Sequence, residues 1–180
     1  MRHPGRAAAL AMMLALAGCS GGEGQQMAGP EQVHYDDAAA AVKQRADAVA
    51  EVLAVPLAEP YFSAPPCEDP QGNPSRTGVY HIHGSFTLPV GDRVGDVLRA
   101  AHSHFTDRGF EVRGITWFDD GSGDLRATSP DGFAYALLAT SSPDALALWV
   151  DSPCYQAPAG AGDPSRWVPR FPSAERTPDR

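Results

Sequence analysis

Two cysteines, Cys67 and Cys154, constrain the fold of this chain more than any other pair of residues. They bracket a segment that carries its clearest helical and strand patterns. If they join, the end of the last strand must lie beside the start of the first. In the chain-entropy model, closing so long a loop stabilises a domain by roughly 4–5 kcal/mol. Two free thiols or a shared metal are the alternatives, but neither cysteine has the C-x-x-C spacing typical of metal sites.

The first residues have the order of an export signal. Arg2 and Arg6 precede an apolar stretch over 7–17, and small residues follow it. Leu16-Ala17-Gly18-Cys19 resembles the lipobox of bacterial lipoproteins. The resemblance implies cleavage before Cys19 and a diacylglyceryl group on its sulfur. An ordinary cleaved signal, with Cys19 incidental, is the alternative.

The apolar stretch over 7–17 is too short to cross a bilayer, which takes about 20 apolar residues. We therefore expect the chain to be held at the cell membrane, on its extracytoplasmic face, by the lipid on Cys19 alone. Outside the cytoplasm an even pair of cysteines is typical of a disulfide. The sequence thus predicts a bridge between Cys67 and Cys154.

The net charge of the chain disfavours two classes of binding partner. The chain has 14 basic and 22 acidic residues, a formal net charge of −8, and losing the signal would remove Arg2 and Arg6. An acidic chain without a basic stripe is unsuited to nucleic acid. It is equally unsuited to electrostatic adhesion to anionic lipid.

Four segments follow from the distribution of apolar residues. We assign 1–18 to the signal, 19–33 to a flexible tether, 34–155 to one domain, and 156–180 to a Pro/Arg-rich tail expected to be disordered. Trp167 is an apolar exception in the tail, and its side chain could dock either on the domain or on a partner.

Apolar periodicity predicts the elements of the domain. A helix over 37–54 is capped by Asp36 or Asp37, and a proline-rich loop follows over 60–74. A strand over 78–88 leads to a second, amphipathic helix over 93–108, capped by Asp92 and ended by Gly109. Four short strands separated by tight turns complete the domain: 110–118, 125–128, 133–140 and 145–152.

These elements predict an α+β fold. The sheet has five strands in a β-α-β-β-β-β arrangement, is mainly antiparallel, and is joined by an extra N-terminal helix and one disulfide. The bridge places the first strand antiparallel beside the last, and a β-helix-β crossover makes the first and second strands parallel in direction. At least one helix covers one face, and the other face is partly open or covered by the first helix.

Few residues indicate chemistry. His81 and His83 project to the same face of a strand, so both imidazoles could reach one metal ion, or they are simply histidines on a half-exposed face. Trp149 is either an exposed aromatic or, as we expect, part of the core. The chain has no G-x-S-x-G elbow and no phosphate-binding glycine pattern. The sequence therefore predicts neither an enzyme nor a cofactor.

The layout resembles small actinobacterial lipoproteins, including the mycobacterial LppA type. The resemblance rests on the lipobox, on Cys67 and Cys154, on a helix ending in Gly109-Phe110, on the turn at Asp131-Gly132, and on the closing alternation Leu146-x-Leu148-x-Val150. Such families carry no assigned activity. The resulting expectation is a non-enzymatic binding module that meets an envelope protein or a small ligand. The alternative is a metal-binding lipoprotein that uses His81 and His83.

Overall fold

The computed structural model describes residues 30–68, 72–73 and 78–169. These residues form helices α1 (Tyr35–Leu53) and α2 (Val94–Asp107), two 3-10 turns (Gly91–Arg93 and Pro164–Arg166) and eight strands. The strands are β1 (Ala58–Ser63), β2 (Val79–Tyr80), β3 (His83–Pro89), β4 (Glu111–Trp117), β5 (Gly123–Thr128), β6 (Ala134–Ala139), β7 (Ala145–Asp151) and β8 (Tyr155–Gln156). Six form one antiparallel sheet in the order β1-β3-β7-β6-β5-β4, and β2 pairs with β8. The predicted α+β class and the mainly antiparallel sheet are confirmed.

The predicted disulfide and strand order are also confirmed. Cys67 and Cys154 are bonded, with their Cα atoms 6.2 Å apart across 87 residues of sequence. Strand β3 lies antiparallel beside β7, in a register that runs from His83 opposite Asp151 to Pro89 opposite Ala145. Because each neighbouring pair from β3 to β4 is antiparallel, β3 and β4 point the same way, as the crossover through α2 requires.

The predicted strand count of five is wrong. Strand β1 falls partly in the expected proline-rich loop, and Pro60 lies within it. An edge strand tolerates proline because its missing N–H need not face a neighbour. The predicted strand over 78–88 is divided, because β2 leaves the main sheet to pair with β8 while β3 remains in it.

The helix starts differ from their predicted caps. Helix α1 begins at Tyr35, where the ring nitrogen of His34, rather than Asp36 or Asp37, accepts a hydrogen bond from a backbone N–H. A 3-10 turn that includes Asp92 leads into α2, and no side chain caps that helix. Gly109 does adopt the predicted left-handed conformation after α2, with φ of 72°.

Both helices pack on the same face of the sheet, where they contact each other: α1 crosses β3 and β7, and α2 crosses β4 and β5. The core between them includes a buried row that runs across four strands, namely Phe86, Leu148, Leu137 and Leu125. Helix α1 comes so close to β3 that a Cβ on Gly84 would lie 2.6 Å from Cγ1 of Val42. Among the described residues, the opposite face of the sheet has no helix over it.

Part of the predicted tail is folded. The Trp167 indole N–H donates to Oδ1 of Asp36 at 2.9 Å, and the Tyr35 hydroxyl donates to the carbonyl of Gly162 at 3.0 Å. Residues 156–169 therefore differ from the disorder expected there, because Trp167 packs against the core on the domain side. The predicted signal over 1–18, the tether up to residue 29 and the tail beyond 169 lie outside the described residues.

Candidate functional site

The two predicted histidines meet at one carboxylate on the open face of the sheet. Nδ1 of His83 lies 2.7 Å from Oδ1 of Asp151, its cross-strand partner, and Nε2 of His81 lies 3.8 Å from the same oxygen. Nδ1 of His81 lies 3.9 Å from Sγ of Cys67. The disulfide and the start of β3 thus hold both imidazoles against β7.

Burial lowers the pKa of His81 below its ordinary value, and the nearby His83 adds to the effect. The carboxylates of Asp151 and Glu68 oppose it without reversing the shift. This lowered pKa favours the uncharged form of the His81 imidazole at neutral pH. Its partners are those of a structural hydrogen-bonding group.

A metal centre needs more ligands than this cluster provides. In the described part of the chain, no group of three histidine, cysteine or carboxylate side chains is placed to hold a metal ion. The ring nitrogen of His83 nearest the carboxylate is already engaged with Asp151.

The prediction that Trp149 lies in the core is wrong. The side chain expected in the core is 37% exposed on the open face, beside His83, whose ring meets the indole edge-to-face with centroids 5.4 Å apart. The reason is the placement of α1, which packs on the opposite face. Neither the sequence alternation nor the mixed composition of this strand face identified which side would be covered.

A cleft of about 800 Å³ lies between the second half of α1, the end of α2 and the turn that joins β5 to β6. Three aromatic side chains form its apolar base: Phe105, Phe110 and Tyr135, with ring centroids 5.1–5.4 Å apart. Val49 and Val52 of α1 extend the apolar lining, and Val52 is 49% exposed. The volume is within the range of about 300–1,000 Å³ typical of ligand clefts.

A polar network fixes one rim of the cleft. The guanidinium of Arg45 lies 3.7 Å above the centre of the Phe133 ring and pairs with Asp131. The Ser129 hydroxyl also donates to Asp131, and accepts from the backbone N–H of Phe133 at 3.0 Å. This hydroxyl, and less strongly the guanidinium, hold the pKa of the Asp131 carboxyl below its usual range. The rim is therefore joined by hydrogen bonds, and the charges of Arg45 and Asp131 are paired with each other.

This cleft was not predicted from the sequence. The pattern of residues 129–132 indicated only a turn, and Arg45 fell within a predicted helix. No local pattern links position 45 to position 131, which are 86 residues apart and meet because α1 lies beside the turn between β5 and β6. The arginine within an alanine-rich helical face was the single available signal.

His104 also lines the cleft, and burial lowers its pKa, with the neighbouring charge of Arg108 adding to the shift. Although Ser129, Asp131 and His104 share one cleft, the serine donates directly to the aspartate. No hydrogen bond joins His104 to either of them within the described residues. The order of contacts needed for a serine nucleophile with a histidine base is absent from this part of the chain.

Comparisons with known proteins add little. No protein-family model matches the chain, and no curated protein matches it. One solved structure is similar, the crystal structure of a DUF4853 family protein from Actinomyces odontolyticus. It is 15% identical with a TM-score of 0.49, and the match covers 81% of this chain and 80% of the other.

The predicted lipidation residue, Cys19, lies outside the described residues. Within them, neither helix combines the length and apolar character needed to cross a membrane.

Proposed function

We propose that this protein is a lipid-anchored lipoprotein of the extracytoplasmic membrane face, and that it is a non-enzymatic binding module whose ligand or envelope partner occupies the cleft between α1 and α2. The cleft is the observation that carries the proposal. Its size, its aromatic base and its hydrogen-bonded polar rim are typical of a ligand-binding site.

Apolar contact would supply most of the affinity. Burying one side chain the size of leucine or phenylalanine contributes roughly 1.5–3 kcal/mol. The aromatic base is shaped to take such a group, and Val52 presents further exposed apolar surface at the mouth. Because Arg45 and Asp131 pair with each other, they orient a ligand more than they neutralise one.

Binding is a better explanation of this geometry than catalysis. Ser129 is buried, with 5% of its surface exposed, and its hydroxyl donates to a carboxylate, so it is not poised as a nucleophile. The described residues also offer no metal-binding group that would activate water.

A photo-crosslinking residue at Ala48 tests the site. Ala48 is exposed and lines the cleft, whereas Ala40 is exposed on the same helix and does not line it. We expect the full chain, expressed in its own host, to give a reproducible adduct from position 48 that is absent from position 40. Val52→Asp should reduce the adduct at least several-fold, because it places a charge at the apolar mouth.

Native mass spectrometry of the chain purified from that host covers the case of a small ligand. A bound mass present in the wild type and lost in Ala48→Trp, but kept in Ala40→Trp, would support the cleft. Equal adducts from both positions, or no adduct together with no bound mass, would refute it.

The anchor is tested separately. Cys19→Ser should move the chain from the membrane fraction to the soluble fraction, whereas Cys67→Ser should destabilise the domain and leave it attached. The N-terminal peptide of the wild type should carry the mass of a diacylglyceryl cysteine. A Cys19→Ser chain that stays in the membrane fraction would contradict the lipid assignment.

A further inference from the structure

The open face of the sheet holds a second recess, separate from the cleft. It encloses about 210 Å³ and its base is made of two small side chains, Ala134 and Ala136 of β6. Trp149 of β7 lines one side, and Arg126 and Arg113 line the other. The volume is below the 300–1,000 Å³ of a site that engulfs a whole ligand. A recess of this size takes one ring of a larger molecule.

The register of the sheet sets the spacing of the recess. Trp149 lies opposite Ala136, and Ala136 lies opposite Arg126, so the three share one row across β7, β6 and β5. Neighbouring strands are about 4.8 Å apart, which puts the backbones of the tryptophan and the arginine about 10 Å apart. The alanine between them leaves a gap in which a flat ring can lie on the sheet.

The aromatic side of the recess is held in place. His83 meets the Trp149 indole edge-to-face at 5.4 Å and contacts Oδ1 of Asp151 through its own Nδ1 at 2.7 Å. Oδ2 of Asp151 makes no hydrogen bond with another described residue. Asp151 lines the recess, so its carboxylate can accept a hydrogen bond from a ligand hydroxyl.

The opposite side carries unpaired positive charge. Neither Arg113 nor Arg126 makes a salt bridge or a hydrogen bond with any other residue in the described ranges. On a chain of formal net charge −8 that has 22 carboxylates, two neighbouring guanidinium groups without partners are unexpected. Guanidinium groups bind carboxylates through paired N–H donors, so the recess matches a ligand that bears a carboxylate.

We propose that this recess binds an acidic saccharide. The apolar C–H face of one pyranose ring stacks on Trp149, a ring hydroxyl donates to Asp151, and the sugar carboxylate accepts from Arg126 and Arg113. A carboxylate-bearing sugar uses both ends of the recess at once. A nucleic acid would meet only one stacking ring, whereas single-strand binding sites stack successive bases on several aromatic side chains.

N-acetylmuramic acid and N-acetylglucosamine provide a matched test, since they differ in a single carboxylate-bearing lactyl group. Each is titrated into the full, oxidised chain by isothermal titration calorimetry, and in chains that keep Trp149 its indole N–H is also followed by NMR. We expect the acidic sugar to bind at least 10-fold more tightly. Arg126→Gln should abolish that preference, and Trp149→Ala should weaken both sugars at least 10-fold, with thermal unfolding used to confirm the fold.

Two controls make the result decisive. Arg93→Gln removes an exposed arginine outside the recess and should leave the preference unchanged. Sodium acetate alone should not shift the Trp149 signal at the same concentrations. Equal binding of the two sugars, an acetate shift equal to that of N-acetylmuramic acid, or the same loss in Arg93→Gln would each overturn the proposal.

Discussion

The close approach of α1 to β3 gives the sharpest prediction about the fold. A methyl group at position 84 would lie 2.6 Å from Cγ1 of Val42, 3.1 Å from Cε2 of Phe86 and 3.3 Å from Cε1 of Phe62. The first distance is too short for any real contact, and a buried, β-branched valine has little freedom to move. We therefore expect Gly84→Ala to force the helix away from the sheet and to lower the free energy of unfolding by about 1–3 kcal/mol.

A double-mutant cycle isolates the cause. Val42→Ala alone should cost about 1–3 kcal/mol through the cavity it leaves. In that background the new methyl at position 84 enters vacated space, so the two losses should not add. We expect the double variant to be more stable than the sum of the single changes predicts, by about 1–3 kcal/mol.

Urea unfolding of the four proteins, with the disulfide intact, measures these values. Gly95→Ala is the matched control. Its methyl group would meet only the flexible end of Arg99, at 3.4 Å, so it should cause no loss of stability. Additivity of Gly84→Ala and Val42→Ala within about 0.5 kcal/mol would refute the packing argument, as would a Gly84→Ala variant as stable as the wild type.

Three further outcomes follow from the structure. Replacing both Cys67 and Cys154 by alanine should lower the free energy of unfolding, measured in urea, by roughly 4–5 kcal/mol, because the bridge closes a loop spanning 87 residues. A loss under about 1 kcal/mol would contradict this prediction. The folded-state pKa of His81 lies below the unfolded value of 6.5, so the unfolded chain binds more protons and stability should fall as pH drops below 6.5. His81→Gln should flatten this pH dependence of the free energy of unfolding. An unchanged slope in His81→Gln would contradict the role of His81. Trp167→Ala removes the hydrogen bond from the indole to Asp36 and should lower the free energy of unfolding by about 1–2 kcal/mol. It should also speed limited proteolysis between residues 157 and 169. An unaltered cleavage rate would show that this contact does not hold the segment.

Much of the fold could be predicted because its signals are local. The stripe Val97, Leu98, Ala101 and Phe105 identifies α2, and the alternation of Leu146, Leu148 and Val150 identifies β7. The two cysteines then fix the strand order, since a bonded pair must bring the start of β3 to the end of β7. Strand β1 was missed because Pro60 masks its pattern, and proline is tolerated only at an edge that sequence cannot identify.

The candidate sites could be predicted only in part. Period-two spacing correctly placed His81 and His83 near each other, but the carboxylate they share comes from Asp151, about 70 residues later in the chain. The cleft depends likewise on Arg45 meeting Asp131. Such pairs have no sequence signature.

By itself, the sequence determined the helices, most strands, the disulfide and the order in which the strands pair, because each depends on spacing along the chain or on a covalent bond. Only the tertiary structure decided which face of the sheet the helices cover. That choice follows from the packing of α1 over Gly84, and it buries Val42 while it leaves Trp149 exposed. The cleft and the recess, on opposite sides of the sheet, both result from it.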